Sequence, residues 1–139
     1  MDVIPESGVY VLVIRVRSGR EIEAGALGRL RLRRGYYAYV GRARRGLSAR
    51  LRRHRRGEGK RVRWHIDYLL DRACLEEIWV MPLAAGECAL AAGLEGEGAS
   101  REGLRGFGSS DCRCAGHLLY LGGTRPHPPR AATAVVRPT

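Results

Sequence analysis

From Gly8 to Arg17 the chain alternates, but it lacks a polar face. Val9, Val11 and Val13 point one way, and Tyr10, Leu12, Ile14 and Val16 the other. That pattern predicts a strand covered on both sides, at the centre of a sheet. Ser18-Gly19-Arg20 reads as a turn. Ile22 to Leu32 is a weaker strand region, broken by Gly25 and Gly28. After the turn Arg33-Arg34-Gly35, Tyr36 to Gly41 is a third strand, rich in aromatics. Their closeness in sequence predicts an antiparallel arrangement.

The period then changes. Leu47, Leu51 and His54 recur at i, i+4 and i+7, which predicts an amphipathic helix over 47–56. Gly57 to Lys60 is a loop. A second helix is expected over 64–73, with Ile66, Leu69, Leu70 and Ala73 on one side. Leu75 to Met81 is a short strand stopped by Pro82. Glu87 to Leu94 is a helix of small residues that can pack closely. Residues 93–108 are Gly-rich and read as a mobile loop. His117 to Leu121 is a last strand. Residues 1–121 therefore form one α/β (α+β) domain. Residues 122–139 hold four of the six prolines and read as a flexible tail.

At 139 residues the chain suits a single core. No apolar run approaches the roughly 18–20 residues that span a bilayer. The first residues show no basic region followed by an apolar stretch, so a cytoplasmic location is expected and no membrane partner. Charge changes the picture more. The net is +11, and residues 1–63 carry 18 basic against 5 acidic side chains. The basic residues are nearly all arginine, whose rigid fork of donors suits phosphate. Arg42, Arg44 and Arg45 follow the third strand, and Arg52, Arg53, Arg55 and Arg56 line the first helix. These seven are the candidate nucleic-acid contacts. The partner expected is DNA, and a basic stretch alone does not separate DNA from RNA. A solvated basic face is the plain alternative.

The four cysteines are Cys74, Cys88, Cys112 and Cys114. Cys112-x-Cys114-x-x-His117 is a compact set of soft ligands, and Cys88 or His65 offers a fourth. The spacing matches no common zinc motif. Buried thiols are one reading and a structural zinc ion the other.

The chemistry sits in two tripeptides and the arginines behind the second: Gly8-Val9-Tyr10, and Tyr39-Val40-Gly41 leading into Arg42-Ala43-Arg44-Arg45. If their strands are neighbours, both tyrosines lie at one end of the sheet. Arg50 and His54 are four apart and share a helix face. Glu87 opens a later helix, where a carboxylate suits the local field and could meet a metal.

In these blocks the chain resembles the GIY-YIG nuclease superfamily, most closely a branch found alone or fused to endonuclease III. The resemblance covers about residues 6–121. It rests on Gly8-Val9-Tyr10, the run from Gly35 to Ala43, the run from Leu47 to His54, Trp64 to Leu69, Glu87 to Ala91, and Gly106 to Cys114 with His117. It implies a small three-stranded antiparallel sheet flanked by helices. It also implies a DNA endonuclease that hydrolyses a phosphodiester with one Mg2+ or Mn2+ ion, in repair or recombination. Tyr10 and Tyr39 then match the signature tyrosines, Arg50 the helix arginine, His54 a His or Tyr position, and Glu87 the metal-binding glutamate.

Physical chemistry gives these roles content. Hydrolysis needs a deprotonated water and relief of charge on phosphorus. A tyrosine, with a pKa of about 10, needs positive neighbours to act as base. Arg50 would stabilise the phosphate and a metal on Glu87 the leaving group. The chain departs from the superfamily in the distance between its tyrosines, so residues 18–34 must hold an extra strand or a long excursion. His65 and Asp67 read as a hydrogen-bonded pair at a helix end or as supporting groups. A non-catalytic nucleic-acid-binding module and a zinc-stabilised adaptor remain alternatives.

Overall fold

A computed structural model describes residues 4–56, 65–104, 106–107 and 116–137. Lys60, Trp64, Cys112 and Cys114 lie outside these. The strands are β1 (Gly8–Val16), β2 (Arg20–Glu23), β3 (Arg29–Leu32), β4 (Gly35–Ala43), β5 (Cys74–Met81), β6 (Leu118–Gly122) and β7 (Ala134–Val136). The helices are α1 (Leu47–Arg55), α2 (His65–Leu70) and α3 (Glu87–Gly96).

Five strands form one antiparallel sheet in the order β6-β4-β1-β5-β7. β1 lies at its centre because both its faces are apolar. Tyr10, Leu12, Ile14 and Val16 pack with Leu47 and Leu51 of α1, Ile66 and Leu69 of α2, and Phe107. Val9, Val11 and Val13 face the other way, toward Ala91 of α3, Trp79 and Leu119. Each side chain fully buried in these layers contributes roughly 1.5–3 kcal/mol against exposure.

The three-stranded sheet implied by the resemblance is thus too small. β5 pairs with the free edge of β1, and β6 with that of β4. The third addition comes from the expected tail. Ala134–Val136 pairs with Ile78–Val80 and covers the outer edge of β5. An uncovered edge invites association with other chains. A buried carboxylate reinforces the attachment. Glu77 of β5 accepts from the Trp79 indole at 2.6 Å and from Arg125 at 3.2 Å, with Arg137 at 3.5 Å.

Residues 18–34 are a separate hairpin, β2 with β3. Ile22, Leu30 and Leu32 fold it onto the α1–α2 side of the core. Its outer charges pair across the strands, as Glu21 with Arg31 at 3.4 Å, where water makes such pairs weak. The Gly-rich stretch 93–108 is more ordered than a mobile loop where described. Helix α3 continues to Gly96, Ser100 bridges to Tyr120, and Leu104 and Phe107 are buried. Two apolar side chains among the glycines have no other way to leave water.

Candidate functional site

Antiparallel register brings the signature residues together. Tyr10 lies opposite Gly41 and Leu12 opposite Tyr39. The two tyrosines therefore share one face, diagonally related. Gly41 is what lets them do so: a Cβ there would overlap the Tyr10 ring. The ring crosses the bare backbone of β4 and reaches α1.

α1 starts immediately after β4. Gly46 adopts φ 67°, a left-handed turn that suits glycine. Its N–H donates to Glu6 Oε1 at 2.6 Å, and Leu47 N–H donates to the Glu6 carbonyl. This acidic cap offsets the positive end of a helix that carries five basic residues. Leu47, Leu51 and His54 are buried, as their spacing predicts. His54 Nε2 is 2.8 Å from the Tyr10 hydroxyl. Its ring also meets Tyr39, with centroids 6.4 Å apart. Arg50 Nη1 donates to the Arg42 carbonyl at 2.8 Å, which ties α1 to the end of β4.

Glu87 arrives from the opposite layer. α3 packs on the far face, but its first residue lies near the end of β4. The Glu87 carboxylate is 3.4 Å from Arg42 Nε and 3.7 Å from His117 Nδ1. Its charge is felt by both tyrosines and raises each. Tyr10, Tyr39, Arg50, His54 and Glu87, from four elements, thus form one cluster.

The tyrosines are not activated as positive neighbours alone would suggest. Burial pushes Tyr10 up to about 12, although the charge and hydrogen bond of Arg50 pull it down. Burial raises Tyr39 further, with the Tyr10 and Glu87 charges adding to it. Both are neutral phenols at ordinary pH, and they lie deep, at 2% and 8% exposure.

The remaining candidates divide. Arg44, Arg45, Arg52, Arg55 and Arg56 are exposed on the α1 side. Arg42 and Arg53 turn inward to carboxylates. Arg53 forms a bidentate pair with the fully buried Asp67, both bonds 2.9 Å, and so joins α1 to α2. Removing one partner of such a pair costs about 3–5 kcal/mol. His65 packs on Phe107, which in turn meets Tyr39; burial lowers its pKa. Cys88 Sγ lies 3.6 Å from His117 Nε2. The sequence pattern missed the Arg42–Glu87 and His117–Glu87 contacts, because they join residues 45 and 30 positions apart across two layers. It also passed over Glu77, whose one signal was an acidic residue inside an apolar strand.

Among the described residues, no three His, Cys, Asp or Glu side chains form a ready metal cluster. Glu87 suits a hard divalent ion held mostly by waters. Both its contacts are longer than the 2.7–2.9 Å typical of charge-assisted hydrogen bonds. No helix of the described residues is long and apolar enough to cross a membrane.

Comparison with curated proteins and with solved structures finds no match. Residues 9–137 match the sequence model of a family described as a domain of unknown function, DUF123, and the chain belongs to that family.

Proposed function

We propose that this protein is a metal-dependent DNA endonuclease, acting in repair or recombination. The observation that carries the reading is the convergence of Tyr10, Tyr39, Arg50, His54 and Glu87 beside an arginine-coated helix. The motif resemblance to GIY-YIG nucleases supports it, since the five positions it singles out lie within a group that also includes Arg42 and His117.

In this reading the phosphate enters over Arg50, which balances the charge that builds on its oxygens. Tyr10 draws a proton from the attacking water while its own proton passes to His54 across 2.8 Å. The relay answers the problem set by burial. A phenol held near 12 is a poor base unless its proton has somewhere to go. Tyr39 stays protonated and donates to a phosphate oxygen. Glu87 would hold Mg2+ or Mn2+, which when bound acts as a Lewis acid at the leaving oxygen. Arg44, Arg45, Arg52, Arg55 and Arg56 grip the flanking backbone, so affinity falls steeply with salt.

A second reading, a binding module that does not cut, is favoured by the burial of both tyrosines. Nicking of branched and flapped DNAs with and without Mg2+ separates the two. Cleavage by the wild type that is lost in Glu87→Ala and Tyr39→Phe supports the enzyme. Tight binding without cleavage by the wild type supports the module.

A further inference from the structure

The end of the sheet away from α1 carries a second group of cations. There β1 runs out at Val16, which pairs with Gly35 of β4. Arg17 follows Val16, Arg33 and Arg34 precede Gly35, and all three are exposed. Arg15 lies one pair inward, opposite Tyr36. β1 is nine residues long, so at about 3.3 Å per residue this end lies about 27 Å from the Gly8–Ala43 end that leads into α1.

Two tyrosine hydroxyls fix the turn that bears Arg33 and Arg34. Arg33 N–H donates to the Tyr37 hydroxyl at 2.7 Å, and the Tyr120 hydroxyl donates to the Arg34 carbonyl at 2.8 Å. Gly35 makes room for the second bond, since a Cβ there would lie 2.7 Å from the Tyr120 hydroxyl. The Arg33 guanidinium lies over the Tyr120 ring, 4.1 Å from its centroid, and that of Arg15 lies 5.9 Å from the Tyr36 centroid. A guanidinium held over a ring has less freedom to lose on binding, while its in-plane N–H groups stay open to a phosphate.

Charge pairing separates this end from the β2–β3 hairpin beside it. In the hairpin Arg29 meets Glu21 at 3.8 Å and Glu23 at 3.7 Å, and Arg31 meets Glu21 at 3.4 Å. Among the described residues Arg17, Arg33 and Arg34 form no ion pair, and Arg15 forms a long one, 3.9 Å to Glu76. Like charges gathered at neighbouring strand positions repel, and a polyanion that takes up their charge offsets that cost. We propose that this end of the sheet binds nucleic-acid backbone separately from α1, so that one chain holds two segments. The Debye length at about 0.15 M salt is about 8 Å, so the two ends act independently. The inference rests on the nuclease reading for the α1 segment alone. Its readout is binding in EDTA, into which cleavage does not enter.

The test counts copies of a DNA stem-loop whose stem of about six base pairs, about 20 Å long, is too short to reach both ends. Sedimentation with an excess of the dye-labelled stem-loop at about 50 mM salt should find about two per wild-type chain. Arg17→Gln/Arg34→Gln and Arg52→Gln/Arg55→Gln should each bind about one. Both bonds that fix the turn end on backbone atoms, so the first variant leaves them intact. The wild-type count needs no variant at all. A single stem-loop per wild-type chain that Arg17→Gln/Arg34→Gln still binds would overturn the inference and leave the α1 surface standing. A single one that only this variant loses would uphold the surface proposed here and count against the one on α1. A wild type that binds none would overturn both.

Discussion

Gly41 and Tyr10 illustrate how one missing side chain shapes the site. The Tyr10 ring occupies the space where any larger residue at position 41 would place its Cβ. Gly41→Ala should therefore cost about 1–3 kcal/mol in denaturant unfolding, the usual cost of overpacking. In a Tyr10→Ala background the added cost should nearly vanish, giving a large coupling energy in the double-mutant cycle. Additive costs would mean that the ring does not lie across Gly41. Tyr10 also makes a statement about alkaline pH. Its pKa is raised from 10.0 to about 12, so the folded state holds the proton where the unfolded chain releases it. The associated stability is complete below pH 10 and is lost as pH rises through the folded value. Phenolate absorbance should show a late-titrating tyrosine that disappears in Tyr10→Phe. A wild type whose tyrosines all titrate near 10 would contradict the burial.

At the scale of elements, the β5–β7 contact carries its own pH sensitivity. Burial alone would raise Glu77, but the Trp79 indole, Arg125 and Arg137 hold it below the ordinary carboxylate value. Such a group stabilises above its unfolded pKa, and the contribution is lost as pH falls through the folded one. Acidification below the usual carboxylate range should loosen Ala134–Val136 first. Hydrogen exchange at Thr133, whose N–H donates to the Val80 carbonyl, should speed up there and do so at neutral pH in Glu77→Gln. Unchanged protection in both cases would contradict the clamp. Much of this architecture is legible in the sequence. β1, β4 and α1 follow from alternation in Val9–Val16 and from the Leu47, Leu51, His54 spacing, because those elements bury a whole face. β7 is not legible. Three residues after a run of prolines show no period, and their pairing depends on an edge that only the folded sheet creates. The site is half legible. Tyr10, Arg50 and His54 are set by register and helix pitch, whereas Glu87 reaches them from the opposite layer. The tyrosine pKa values run opposite to the sequence expectation, because arginines can be counted in a sequence and burial cannot.

For the whole molecule, the uneven charge becomes a surface with one active-looking end. The excess of arginine lies in residues 1–63, and an exposed part of it follows the end of β4 onto α1. The same end holds the Glu87 carboxylate, beside Arg42 and His117. Attraction of a polyanion and chemistry upon it are therefore separable. Under the proposed function the arginines would supply the first, and Glu87 with the tyrosines the second. Replacing Glu87 removes negative charge, so binding should hold or tighten while cleavage fails. The most direct measurement is single-turnover cleavage of one flapped DNA in Mg2+, beside equilibrium binding of the same DNA, for wild type and Glu87→Gln. Cleavage reduced at least about a hundredfold with affinity unchanged or higher is the result expected of a group acting on the reacting phosphate. Equal cleavage rates in the two proteins would contradict the site.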